Sequence, residues 1–242
     1  MKTAILPAFA ALAALAACSP PASNEAAAPA ANATAETPAF PAADPNAIAA
    51  GAYKVDAAHT SVTFTVSHLG FSNYTGQFEK AEIKANLDPA DPTRSTVEAS
   101  IDPRSLSIPT PPAGFVAELT GDKWLDAAKF PAITFKSTQV EPTGPNTAKV
   151  TGDFTLHGVT RPVVLEVTYN GGYKGMAGMD PQSRAGFSAK GSFKRSDFGV
   201  AYGVPAPGTT MGVSDEVKVA IETELMGPPL AAGEAVAPMP KG

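Results

Sequence analysis

The sequence predicts an all-β fold, an eight-stranded antiparallel barrel with one helical insertion near residues 113–128. Three observations carry that expectation. Apolar and polar residues alternate with a period of two through eight separate windows, short turn-forming segments divide them, and a single stretch breaks the alternation. A sheet that is apolar on one face, with no succession of helices to cover it, either closes on itself or stacks as a sandwich. Closure is the solution that leaves no open edge.

The first window, residues 61–68, places Val62, Phe64, Val66 and His68 on one face, with Ser61, Thr63, Thr65 and Ser67 on the other. The pattern returns at 82–87 through Ile83, Ala85 and Leu87, and at 97–102 through Val97, Ala99 and Ile101. It continues at 133–136, 150–156, 163–168, 187–189 and 217–221. Asp88-Pro89, Asp91-Pro92, Gly144-Pro145-Asn146, His157-Gly158 and Asn170-Gly171-Gly172 supply the turns, and strands joined so closely pair antiparallel. Between the third and fourth windows, Phe115, Leu119, Trp124 and Leu125 lack the two-residue period. Pro111-Pro112 suits the opening of a helix there, and Gly121 interrupts it.

Eight strands enclose an interior just wide enough for side chains or one slender ligand. The apolar face carries small residues, Ala85, Ala99, Gly152 and Ala189, beside Phe64, Phe78, Phe135 and Phe154. Small inward residues leave volume, and aromatic ones fill it, so periodicity alone leaves a hollow and a plugged interior both open. The candidate lumen-lining, ligand-binding residues are Phe64, Val66, His68, Phe78, Ala85, Ala99, Phe135, Gly152, Phe154, Leu165, Phe187 and Val219.

Outside the alternating part, composition divides the 242 residues. Met1-Lys2, an apolar run from Ile5 to Leu15, and Leu15-Ala16-Ala17-Cys18 read as a bacterial lipoprotein signal over residues 1–17, with Cys18 the residue to be lipidated. The run is shorter than the roughly 20 residues a transmembrane helix needs, so acyl chains on Cys18 are the expected membrane anchor. An ordinary secretory signal with a free thiol at Cys18 is the alternative. Residues 18–50 are rich in Ala and Pro and read as a tether, 51–226 as the barrel, and 227–242 as a disordered tail. Ser19, where an aspartate would favour retention at the inner membrane, points to the outer one. A net charge of −5 without clustered Lys or Arg argues against a nucleic-acid partner. Cys18 is the sole cysteine, so no internal disulfide is expected in the periplasm.

Several segments together resemble the YceI family of periplasmic polyisoprenoid-binding proteins. They are Tyr53-Lys54-Val55-Asp56 with His59, the run from Phe64 to Ser72 leading to Gly76-Gln77-Phe78, and Trp124-Leu125-Asp126 with Lys129-Phe130-Pro131. The run from Val150 to Val163, Arg184-Ala185-Gly186-Phe187, Asp197-Phe198-Gly199 and Asp215-Glu216-Val217 complete them. The resemblance implies an extended lipocalin-like barrel with a long prenyl chain threaded through an apolar lumen, and a role in lipid transport or stress response. It also implies a quinone-like lipid as an alternative ligand, a cytochrome b561-type membrane partner, and a homodimer as further expectations. One segment departs from the family pattern. Residues 113–119, Ala-Gly-Phe-Val-Ala-Glu-Leu, lack the usual arginine and its acidic partner, so an entrance lined by them would be less polar than usual.

Residues that could carry other chemistry are few. His59 and His68 lie nine positions apart, on opposite faces of one regular strand, and His157 sits in a turn. With no Cys partner and no carboxylate at ligand spacing, no metal site is expected, and structural hydrogen bonding is the expected duty of the histidines. His68, on the apolar face, is also a candidate to touch a ligand's polar head. No Gly-x-Ser-x-Gly elbow or phosphate loop occurs, so the sequence names no catalytic residue and no cofactor, and the expectation is a binding protein. Asp56 and the Arg195-Ser196-Asp197 segment are candidates for an ion pair locking the barrel, or for ordinary surface charges.

Overall fold

β1 (Gly51–His68) alternates so that Val62, Phe64 and Val66 point inward, and it ends where Leu69 adopts a left-handed φ of 55° in the turn to β2 (Ser72–Phe78). β3 (Ala81–Leu87), β4 (Thr96–Ile101) and the two-residue β5 (Leu106–Ser107) follow. After the short helix α1 (Phe115–Leu119) come β6 (Ile133–Gly144), β7 (Thr147–Leu156), β8 (Val159–Tyr173), β9 (Gln182–Lys194) and β10 (Glu216–Pro229). The structure, a computed structural model, describes residues 44, 47–176 and 180–230. The signal segment, Cys18, most of the tether and most of the tail lie outside the described residues.

Antiparallel pairing runs β10-β9-β8-β7-β6-β4-β3-β1, and β1 pairs again with β10 to close the ring. Eight strands therefore form a closed barrel. β2 and β5 are continuations beyond corners: β1 pairs with β3 through residues 51–54 and with β2 through 62–68. Asp102 opens the corner between β4 and β5, accepting from the backbone N–H of Arg104 ahead of the 3-10 turn Pro103–Ser105.

Two features hid part of this from the sequence. β1 carries a bulge between Asp56 and Thr60, which breaks the two-residue period over residues 51–60. β2 is polar apart from Tyr74 and Phe78, because its central inward position is Gly76. A Cβ there would stand 2.6 Å from Phe64 Cζ, so the missing side chain is room for the Phe64 ring.

The helical insertion is shorter than expected. α1 spans five residues, after which the chain turns through Gly121 and Asp126, whose φ is 42°. Trp124 and Asp126 both donate to the Gly121 carbonyl, so turns replace the helix through this stretch. The tether and tail boundaries also move. Ile48 is 5% exposed and packs with Tyr53, Ile83, Ala85, Tyr169 and Leu225, so residues 47–50 belong to the barrel as a strap beneath it. Tyr53 donates to the Ala49 carbonyl at 2.7 Å, and the Ala49 N–H reaches Ser183 Oγ at 3.1 Å, fixing that strap. At the other terminus β10 runs through Gly227 to Pro229, which pairs with Gln182.

Two apolar clusters sit toward opposite ends of the barrel. One surrounds Ile48 and Leu225 at the strap end. The other joins Ile133, Leu156, Val163, Phe198 and Val200, with Phe154, Phe193 and Trp124 packed on it.

Candidate functional site

Between the two clusters runs a cavity of about 840 Å³, lined from Ile48 and Asn146 at the strap end to His68, Tyr74, Pro109 and Thr110 at the other. That volume is within the range of pockets that enclose a small molecule. Alternation along every strand turns the apolar set inward once the ring closes, so the lining follows from the pattern itself. Phe64, Val66, His68, Phe78, Ala85, Ala99, Phe135, Phe154, Leu165, Phe187 and Val219 all lie on it.

Gly152 does not line the cavity. Its inward side is covered by Phe135, whose Cζ would meet a Cβ on residue 152 at 2.4 Å. The glycine makes room for an aromatic ring and adds nothing to the open volume.

Aromatic rings form part of the wall. Phe64 and Phe78 pack at 5.6 Å between ring centres, Tyr169 and Phe187 at 5.5 Å, and Phe154 meets Phe193 at 4.9 Å and Phe198 at 5.3 Å. α1 contributes Phe115 and Leu119 to the lining, and the turn after it contributes Trp124 and Leu125. The segment that departs from the family pattern therefore does line the cavity, and with apolar side chains. At the strap end the wall is less regular. β4 pairs with β6 only through Glu98 to Ile101, and beyond Ser137 the β3–β4 connection stands in for a neighbouring strand, with Pro92, Ser95 and Thr96 on the lining.

Only Asp88 and Arg195 among the described lining residues carry formal charge. Asp88 is held by Arg94 at 2.6 Å. Arg195, 4% exposed, donates Nε to the Ser214 carbonyl at 2.9 Å, Nη1 to Val200 and Tyr202 at 2.8 Å each, and Nη2 to Val213 at 2.8 Å. Its guanidinium also lies 5.1 Å from the centre of the Trp124 ring. Burial pushes the Arg195 pKa down, and the charge of Asp215 partly offsets this. Sequence reasoning missed this residue as a lumen element, because nothing local marks an arginine as the clamp of the long loop between β9 and β10. Trp124 Nε1, beside it, is buried with no hydrogen-bond partner among the described residues.

The expected pairing of Asp56 with the Arg195 segment does not form. Asp56 instead accepts from Arg184, and Arg184 Nε also donates to Asp180 at 2.7 Å. The hydrogen bond from His59, then that from Arg184, holds the Asp56 carboxyl below its usual range. The bulge in β1 brings His59 Nδ1 within 3.1 Å of Asp56 and 3.9 Å of Glu224, a grouping that sequence spacing did not suggest. The Arg184 guanidinium on the same Asp56 oxygen opposes a cation there. His68 stands exposed at the cavity rim, bridged through its backbone to Val213. His157 has a φ of 52° and packs on Phe130 at 4.5 Å between ring centres.

A closed antiparallel barrel whose interior is an apolar cavity defines a class: proteins that hold a hydrophobic ligand inside a ring of strands. The chain belongs to the YceI family, since the YceI-like domain model matches residues 53–225. A UPF0312 protein of Pseudomonas fluorescens is 42% identical over 148 residues, covering 58% of this chain and 71% of the relative. A UPF0312 protein of Vibrio cholerae is 35% identical over 184 residues, covering 74% and 89%. Among solved structures, Burkholderia cenocepacia BcnA superposes with a TM-score of 0.59 at 26% identity, covering 70% of this chain and 98% of that one. A Campylobacter jejuni YceI protein gives 0.58 at 30% identity, covering 67% and 90%. A polyisoprenoid binding domain from Saccharophagus degradans shares the fold, with a TM-score of 0.54 at 15% identity over 74% and 99%.

Proposed function

We propose that this protein is a lipid-anchored binding protein of the periplasm that holds a polyisoprenoid, or a similar long-chain amphiphile, in its barrel lumen. The observation that carries this reading is the cavity of about 840 Å³ with a predominantly apolar wall. Burial supplies about 0.8 kcal/mol per methylene, so ten buried methylenes give roughly 8 kcal/mol before ordering costs, near micromolar affinity without a charged contact. No bond is made or broken in this role; the barrel shields apolar surface from water. The Saccharophagus degradans domain, described as polyisoprenoid binding, supports the ligand class through its shared fold.

Extraction of the purified protein with organic solvent, followed by mass spectrometry, tests the reading. A prenyl chain in the extract is the expected result. Failure to recover any lipid, together with failure to take up added prenyl alcohol, overturns it.

Arg195 favours a second reading of the head group. Its donors are turned to four backbone carbonyls, which suits an uncharged head more than a phosphate. A quinone would meet that requirement, making the protein a quinone-holding partner of a membrane cytochrome, and a quinone in the same extract would select this role. The anchor reading rests on Cys18, and Ser19 directs it to the outer membrane. Labelled palmitate should appear on the wild-type chain and be absent from Cys18→Ala.

A further inference from the structure

The end of the barrel that carries His68 differs in character from the rest of the surface. Three stretches build it, residues 69–78, 106–117 and 198–214, and none contains Asp, Glu, Lys or Arg in a chain with 17% charged residues. They are joined in space. The Leu69 N–H donates to Gly212 at 2.8 Å, Tyr74 donates to the Pro109 carbonyl at 3.4 Å, and Phe78 pairs with Leu106. Of the four large hydrophobic residues most exposed among the described ones, three belong here: Phe71 at 83%, Met211 at 68% and Tyr202 at 50%. Phe71 and Met211 stand on adjoining loop tips, since Gly70 lies against Thr210.

This rim is continuous with the lumen, because Tyr74, Pro109 and Val213 belong both to it and to the cavity wall. The charges that border it are held or set to one side: Arg195 is turned inward to backbone carbonyls, Lys123 lies over the Tyr202 ring at 5.5 Å, and Glu118 stands within α1 with Asp122 after it. The opposite end is the reverse, with Asp88, Asp91 and Arg94 ion-paired at its edge. Exposed aromatic and aliphatic tips without charge suit the boundary between head groups and acyl chains, where desolvating an ion is costly and where tyrosine is at home.

The geometry points to this rim as a docking surface for a phospholipid bilayer, through which a lipid chain passes between membrane and lumen without crossing water. The inference rests on the lumen holding such a chain, and deepens that reading by assigning the entrance and its partner. Lipid presented there moves from one apolar environment to another, so the rim lowers the barrier to transfer.

The test uses the full chain with Phe71→Trp, and in parallel Ala90→Trp at the far end, mixed with protein-free phosphatidylcholine vesicles that carry brominated chains. Emission added by the tryptophan at 71 should be quenched several-fold more than that added at 90. Equal quenching, no quenching, or quenching that needs a membrane protein in the vesicle overturns the proposal. Chains carrying Phe71→Glu with Met211→Glu should retain a preloaded fluorescent farnesyl chain and release it to vesicles about tenfold more slowly. Unchanged release also overturns it. Failure of the unsubstituted chain to load farnesyl at all counts against the lumen, and the quenching then decides the docking by itself.

Discussion

The ring of Phe135 on β6 lies over the bare backbone of Gly152 on β7, leaving no room for a side chain between them. A Cβ on residue 152 would also come within 2.7 Å of the Lys136 carbonyl oxygen, which is backbone and cannot swing aside. Gly152→Ala should therefore destabilise the barrel by about 1–3 kcal/mol, as overpacking does, despite alanine's better intrinsic fit to a strand. Urea denaturation checks it, and a midpoint unchanged from wild type would show that the ring yields freely.

Ala99 on β4 lies opposite Phe135 on β6, with its side chain on the cavity wall. Ala99→Trp places a large ring in the lumen, at the expense of its volume. Lipid recovered per mole of protein should fall about tenfold, while the fold survives because the added atoms enter open space. Retention at the wild-type level would mean that the chain lies elsewhere.

Arg195 gathers four backbone carbonyls from a single long loop. Arg195→Met removes the donors and leaves buried acceptors without partners, at about 3 kcal/mol or more. Arg195→Lys restores the charge but not the planar fork, so it should recover only a fraction. Both changes should also shift the emission of Trp124, whose ring lies 5.1 Å from the guanidinium.

The Asp56 carboxyl has its pKa lowered in the folded protein by the hydrogen bonds from His59 and Arg184. A depressed carboxylate contributes stability that is present above its unfolded value, near 3.9, and lost as pH falls through the lower folded value. Asp180 behaves likewise: burial pushes its pKa up, but the bonds from Arg184, the Gln182 backbone and Tyr173 together hold it lower. The denaturation midpoint should thus decline below about pH 4. Asp56→Asn should flatten that decline, and an unaltered pH profile would place the acid sensitivity elsewhere.

Where the two-residue period was unbroken, the sequence was legible for most inward side chains, Gly152 behind Phe135 being an exception. Within residues 61–68, Val62, Phe64, Val66 and His68 lie on the cavity wall, joined there by Thr63 from the other set, and the same logic put Ala85, Ala99, Leu165 and Val219 on it. The period disappears where geometry interferes with it: the bulge after Asp56 in β1, and the glycine under Phe64 in β2. Ile48 was hidden differently. It sits in an alanine-rich segment with no pattern, and it is buried because Tyr53, Ile83, Ala85, Tyr169, Ala185 and Leu225, from five separate strands, come together around it. The carbonyl clamp of Arg195 depends on a loop closing back over nineteen residues, which no local rule anticipates.

β1 and β10, the first and last strands, are hydrogen-bonded neighbours, with Lys54 opposite Met226. β1 therefore begins, and β10 finishes, at the strap end of the molecule, away from His68. A linker between residues 230 and 47 would accordingly be short, and the barrel is suited to circular permutation with new ends opened in the exposed turn at residues 144–147. Such a permutant would keep every rung of the closed ladder while freeing the strap from its covalent connection to the residues that precede it.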